Sequence, residues 1–205
     1  PPPRSTLFPY TTLFRSVHMD LLRRPVRLGI LGSTRGTDLQ YLIDAIENHY
    51  LAAQIVLVVS DRKDAGILSR ASSHGLPTLY IPCLTREREQ RQQQEQQISQ
   101  AFAQAGVDLI LLIGYMRILS AEFCNIWENR LLNIHPSLLP DFAGGMDTDV
   151  HAAAIARMHA GGTSWTGCTV HKATAQVDQG AIILQKRCQV HAQDKIGRAS
   201  CRERV

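Results

Sequence analysis

The strongest constraint in this chain is a ten-residue run, Leu131-Leu132-Asn133-Ile134-His135-Pro136-Ser137-Leu138-Leu139-Pro140, in which an apolar strand is cut off by a proline. Side chains alternate across a strand, so a strand over Leu131 to His135 puts Asn133 and His135 on one face and Leu132 and Ile134 on the other. Pro136 has no amide hydrogen to give to a sheet ladder, so the strand stops there, and Pro140 stiffens the turn that follows. Two polar side chains therefore stand together at the carboxyl end of a strand, where open α/β sheets bind their ligands. An amide donor beside an imidazole suits an oxygen that gains negative charge, and the imidazole can also move a proton near neutral pH. On these residues alone a carbonyl-transfer site and a plain strand end, with His135 as a cap and Asn133 satisfying a turn, are equally compatible.

The rest of the chain alternates apolar strand-like runs with helical patterns, which predicts an α/β doubly wound, mostly parallel sheet with an antiparallel addition near the C-terminus. Val26 to Gly32 is the first strand. The turn Gly32-Ser33-Thr34-Arg35-Gly36-Thr37-Asp38 then enters a helix with apolar positions at Leu39, Leu42, Ile43 and Ile46. Such a glycine-rich turn aims backbone amides at an anion. Its spacing is neither a dinucleotide fingerprint nor a P-loop, and it also fits a tight turn with Thr37 or Asp38 as helix cap. Gln54 to Ser60 is a second strand, with Asp61 expected as the cap of a helix over 63–74, and Thr78 to Ile81 a third. The stretch from Arg86 to Gln104 is rich in charge and glutamine, with Ile98 and Phe102 as apolar anchors, and reads mainly as a solvated helix face. Val107 to Ile113 is the most hydrophobic strand and belongs at the centre of a parallel sheet. The apolar loop Gly114 to Leu119 fits either an ordinary core exit or one wall of a pocket for a flat ring. Helices are expected at 121–130 and 148–160, and strands at Gly167 to His171 and Ala181 to Val190. Asp178, in the loop between those strands, reads locally as a turn aspartate favoured by Gly180. His151 and His159 lack the partners of a metal site.

Asn-Ile-His-Pro-Ser-Leu-Leu-Pro resembles the signature of the folate-dependent formyltransferases, and the chain from about Val26 to about Val190 is similar to their purine-synthesis branch. The resemblance implies transfer of a formyl group from 10-formyltetrahydrofolate, as co-substrate, to the amine of glycinamide ribonucleotide, without a metal. It implies catalytic roles for Asn133, for a protonated His135 and for Asp178, which stands in the family's Val-Asp-x-Gly context. It places the ribonucleotide phosphate at Gly36, Thr37, Asp38 and Arg86, and the folate ring at Met116, Arg117, Ile118, Leu119 and Asn133. Asp38 stands where the family more often has asparagine, which favours the backbone amides over that side chain as phosphate ligands. His171 matches a second family histidine. Two related activities share the motif: methionyl-tRNA formyl transfer, which brings an RNA-binding C-terminal domain, and formyltetrahydrofolate hydrolysis, which brings an N-terminal regulatory domain. An inactive binding fold is the alternative of a different class.

The formal charge of +4 belongs to the ends. Setting aside 1–18 and 195–205 removes six of the 22 basic and one of the 18 acidic residues, leaving 16 against 17 and no electrostatic footprint for nucleic acid. Both ends read as foreign to the fold: 1–18 as a foreign or disordered leader, for which an acid-free organellar transit peptide is the competing reading, and 196–205 as a foreign tail. The formyltransferase domain is expected over 19–195, without the family's last helix and strand. Five cysteines without Cys-x-x-Cys spacing argue against a zinc ribbon or a disulfide framework, and no apolar run is long enough to cross a bilayer. A cytoplasmic monomer or homodimer acting on small molecules, without nucleic acid or membrane partners, is the expectation.

Overall fold

The computed structural model describes residues 24–83, 87–145, 147–161 and 165–190. Seven strands form one sheet: β1 (Val26–Leu31), β2 (Ala53–Ser60), β3 (Thr78–Tyr80), β4 (Leu109–Leu112), β5 (Leu131–His135), β6 (Trp165–Lys172) and β7 (Ile182–Gln189). Their spatial order is β3-β2-β1-β4-β5-β6-β7. The pairs from β3 through β5 are parallel, and β5–β6 and β6–β7 are antiparallel. The helices are α1 (Thr37–Glu47), α2 (Gly66–Ser73), α3 (Arg88–Gln104), α4 (Ala121–Ile126) and α5 (Asp147–His159). The mostly parallel sheet with an antiparallel end is the expected one, and the most apolar strand, β4, is the fourth of seven.

Two apolar layers hold the sheet because its central strands are buried on both faces. Leu28 and Ile30 of β1 face Leu39, Ile43 and Ile67 of α1 and α2, whereas Leu31, Ile110 and Leu112 join Ile98, Phe102 and Phe123 of α3 and α4 on the other side. Phe102 is fully buried and meets Trp127 edge to face, with ring centroids 6.2 Å apart. It lies directly against Gly29, where an added Cβ would come within 2.8 Å of the ring, and the β1–β2 register shifts at that same point, between Leu28 and Gly29.

Several local expectations are corrected. Asp61 does not cap α2: Ala65 precedes that helix without a side-chain cap, and Asp61 turns inward with its side chain only 2% exposed. Neither Thr37 nor Asp38 caps α1; the residue before the helix is Gly36 in the left-handed region at φ 61°, where a side chain would also collide with Ile67. The glutamine-rich α3 is not wholly a solvated face. Gln94 donates to the Ile81 carbonyl at 2.8 Å, and Glu95 accepts from the Ser120 N–H at 3.0 Å and from the Ser120 hydroxyl, so both are buried with partners. The helix expected over 121–130 ends at Ile126, where buried Trp127 donates from Nε1 to the Ser99 hydroxyl.

Removing the Phe102 ring should cost about 3–5 kcal/mol, the range for a buried aromatic truncated to alanine. Gly29→Ala should cost about 1–3 kcal/mol by overpacking. In the Phe102→Ala background the Gly29→Ala penalty should shrink, since the ring it strikes is gone and only the contact with Val107 Cγ1 at 3.0 Å remains. Denaturant midpoints of both single variants and the double variant check this, and additive losses would refute the contact.

Candidate active site

β5 is flanked by β4 on one side and β6 on the other, and its register sets Asn133 opposite His171 and His135 opposite Thr169. The strand ends at His135, before Pro136, as its sequence requires. Asn133 Nδ2 lies 3.0 Å from His171 Nε2, and His171 Nδ1 lies 3.0 Å from the Lys172 carbonyl.

Asp178 closes the group from the β6–β7 turn. Its Oδ2 is 3.3 Å from His135 Nδ1 and accepts the Gly144 N–H at 2.8 Å; its Oδ1 is 3.4 Å from His171 Nε2 and 3.5 Å from Asn133 Nδ2. The turn adopts this shape at a cost, with Asp178 itself at φ 55°. Gly180 is obligatory for packing rather than a mark of a loose turn, since a Cβ there would sit 1.7 Å from the Lys172 carbonyl oxygen.

Burial and charge set opposite tendencies in this group. Burial pushes the His135 pKa below its ordinary value, against the pull of the Asp178 carboxylate and the Phe142 carbonyl, with His171 adding to the depression. Burial thus works against the protonated His135 expected from the sequence. Burial also opposes ionisation of Asp178, but the His171 hydrogen bond, the Gly144 N–H and the two nearby imidazoles outweigh it and hold the carboxyl below its usual range. His135 Nε2 is 3.2 Å from the Phe142 carbonyl, so both its ring nitrogens face acceptors. An imidazolium would satisfy both and a neutral ring only one.

A cavity of about 480 Å³ opens over this cluster, with Asn133, His135, His171 and Asp178 in its lining and Thr34 at the end of β1. Its volume lies in the range of small-molecule sites, about 300–1,000 Å³. The far wall is Tyr115 to Leu119, so Met116, Arg117, Ile118 and Leu119 face the same space as the polar cluster. Gly36, Thr37 and Asp38 stand at the start of α1, outside that lining. Arg86 lies outside the described residues. Among the described residues no three His, Cys, Asp or Glu side chains are arranged to hold a metal, and no helix is long and apolar enough to cross a membrane.

Sequence reasoning missed the Phe142 carbonyl and the Gly144 N–H, backbone groups that carry no residue signature. It also missed a network in which Asp61 accepts from Ser33 Oγ and from Arg117 Nε, each at 2.6 Å. That network had a signal: Asp61 directly follows β2 and Ser33 stands two residues past β1, the adjacent parallel strand, so the two exits lie side by side.

The family model described as formyl transferase matches residues 26–204. The human trifunctional purine biosynthetic protein adenosine-3 is 35% identical over 188 residues, which cover 92% of this chain but only 18% of that protein. The phosphoribosylglycinamide formyltransferase of Haemophilus influenzae is 34% identical over 178 residues, 87% of this chain and 80% of that one. The crystal structure of glycinamide ribonucleotide transformylase 1 from Symbiobacterium toebii superposes with a TM-score of 0.76 at 34% identity, covering 87% of this chain and 80% of that chain. With its fold, its Asn-Ile-His-Pro strand end and these likenesses in agreement, this chain belongs to the formyl transferase family.

Proposed function

We propose that this chain transfers the formyl group of 10-formyltetrahydrofolate to the amine of glycinamide ribonucleotide, in purine synthesis. The observation that carries the reading is the convergence of Asn133, His135 and Asp178 on one wall of a cavity whose other wall is the apolar loop Tyr115 to Leu119. The relatives of this chain support the choice of substrates. In this reading the folate ring stacks against Met116 to Leu119, and the ribonucleotide phosphate meets the amides at Gly36, Thr37 and Asp38 and the guanidinium of Arg86. The domain that performs the reaction spans 19–195, with a cytoplasmic setting.

The amine nitrogen attacks the formyl carbon, and the carbonyl oxygen takes up negative charge beside the Asn133 amide. Neutral His135 accepts the proton that the attacking nitrogen sheds. The imidazolium so formed is stabilised by Asp178 and by the new oxyanion, which together supply the charge that burial alone withholds. His135 then gives the proton to the folate nitrogen, the carbon–nitrogen bond to folate breaks, and the oxyanion collapses to the formamide carbonyl. One formyl group moves one way and one proton the other.

His135→Ala and Asp178→Asn should each lower turnover by roughly 10²- to 10⁴-fold with the fold retained. Asn133→Ala should lose about 10²- to 10³-fold, the scale of one oxyanion donor. A formyl-transfer assay with the ribonucleotide tests all three, with formate release in its absence as the control for hydrolysis; wild-type turnover in His135→Ala would remove the assignment.

The depressed His135 pKa gives a signed pH dependence. The folded state binds fewer protons than the unfolded chain between the folded pKa and about 6.5, so stability should fall as pH drops through that window and His135→Gln should flatten the slope. Because Asp178 raises the His135 pKa, Asp178→Asn should move the His135 ring titration, followed by NMR, to still lower pH. A wild-type midpoint above 6.5 would contradict this account.

Arg86→Gln should weaken ribonucleotide binding about tenfold or more while leaving folate binding nearly unchanged, the consequence of losing a charged hydrogen bond to phosphate. Calorimetric titration with each substrate separates the outcomes, and equal weakening of both would make Arg86 structural.

A further inference from the structure

Asp61 takes no part in the proposed reaction, yet its carboxylate is enclosed at the end of β2 with its side chain 2% exposed. Oδ1 accepts the Ser33 hydroxyl at 2.6 Å and Oδ2 accepts Arg117 Nε at 2.6 Å. Ser33 Oγ in turn accepts the Met116 N–H at 3.1 Å, and Arg117 Nη2 donates to the Cys83 carbonyl at 3.3 Å. A serine hydroxyl has one proton, and Ser33 spends it on Asp61, which aims a lone pair at the Met116 amide. One carboxylate therefore fixes two successive residues of the cavity wall, Arg117 directly and Met116 through a hydroxyl relay.

The near end of the same loop needs no such help. Ser33 donates its backbone N–H to the Gly114 carbonyl at 3.1 Å, which pins the exit of β4 whatever residue stands at 61. Only the part of the wall beyond Tyr115 depends on the carboxylate. An asparagine at 61 is of equal size but carries no charge for Arg117, and with its oxygen turned there its amide meets Ser33 as a donor, so the hydroxyl must rotate away and the lone pair it aims at Met116 is no longer fixed.

We infer that Asp61 is a positioning residue that sets the affinity for the formyl donor by holding the Met116–Arg117 segment in place, without touching substrate or reacting atoms; this rests on the reading of the cavity as the folate site. The test compares wild type with Asp61→Asn, and with Ser33→Ala, which removes the relay and leaves the Asp61–Arg117 pair should Asp61→Asn fail to fold. Three quantities are read: amide hydrogen exchange at Met116, calorimetric binding of 10-formyltetrahydrofolate, and KM for each substrate alongside kcat. For Asp61→Asn the exchange should quicken, and folate Kd and KM should rise about tenfold, the effect of a lost charged hydrogen bond. The ribonucleotide KM should stay within about twofold and kcat within about threefold, with Ser33→Ala showing a smaller change in the same direction. Equal weakening of both substrates, or a fall in kcat with folate KM unmoved, overturns the proposal. Wild-type folate binding that persists unchanged in both variants overturns it alone, whereas a wild type that binds no folate overturns it together with the functional reading.

Discussion

The site depends first on the parallel pairing of β1 with β4, two strands that stand side by side although β2 and β3 intervene in the chain. The winding goes outward from β1 to β3 and then returns to the other side of β1, so the segments that leave β1 and β4 diverge. A crevice at the carboxyl ends of the strands is the necessary result. Backbone bonds sharpen its floor: the Ser33 N–H reaches the Gly114 carbonyl, and Gly114, at φ 58°, lies so close to Thr34 that a Cβ would strike its hydroxyl. Adding β5 beside β4 then carries Asn133 and His135 to the same crevice with no further device.

The second requirement is electrostatic, and the antiparallel end of the sheet meets it. A carboxylate as enclosed as Asp178 loses most of its hydration and would be costly alone. The β6–β7 turn brings it to the Gly144 N–H, the Asn133 amide and two imidazoles, and these contacts keep it ionised. The same burial works against a proton on His135. The geometry nonetheless accommodates a second ring proton, since both His135 nitrogens face acceptors. A group in that condition takes up a proton most readily when negative charge grows beside it, which is the demand that carbonyl addition makes.

Much of this was legible in the sequence, for identifiable reasons. The strand end at Pro136, the alternation of Asn133 and His135 and the central place of the apolar β4 follow from backbone chemistry and binary pattern, which act locally. Asp178 was legible only through resemblance, because a turn aspartate before a glycine has no local sign of its two histidine neighbours. The fate of Asp61 was misread for the opposite reason. Its local context, an acid after a strand and before a helix, is that of a cap, but the convergence of β1 and β2 turned it inward to Ser33 and Arg117. The solvated reading of α3 failed likewise at Gln94 and Glu95, whose polar ends meet the Ile81 carbonyl and Ser120 across the chain.

These features divide the cavity into two mechanically different halves. Asn133 and His171 project from strands paired on both sides, and His135 from the end of β5 where it pairs with β6. The wall Met116 to Leu119 belongs to no strand or helix and is fixed instead by side chains: Leu119 packs in the core, and Met116 and Arg117 are held by one buried carboxylate acting across 56 residues of sequence. In the proposed reaction, groups held stiffly by strands beside a wall held by a few bonds separate the two demands on such a site. The chemistry needs donors held to fractions of an ångström, while recognition of a flat ring needs a surface whose position can be set independently. A substitution in the network around Asp61 can therefore alter what the wall accepts without moving Asn133 or His135, because no ladder bond joins the loop beyond Tyr115 to β5.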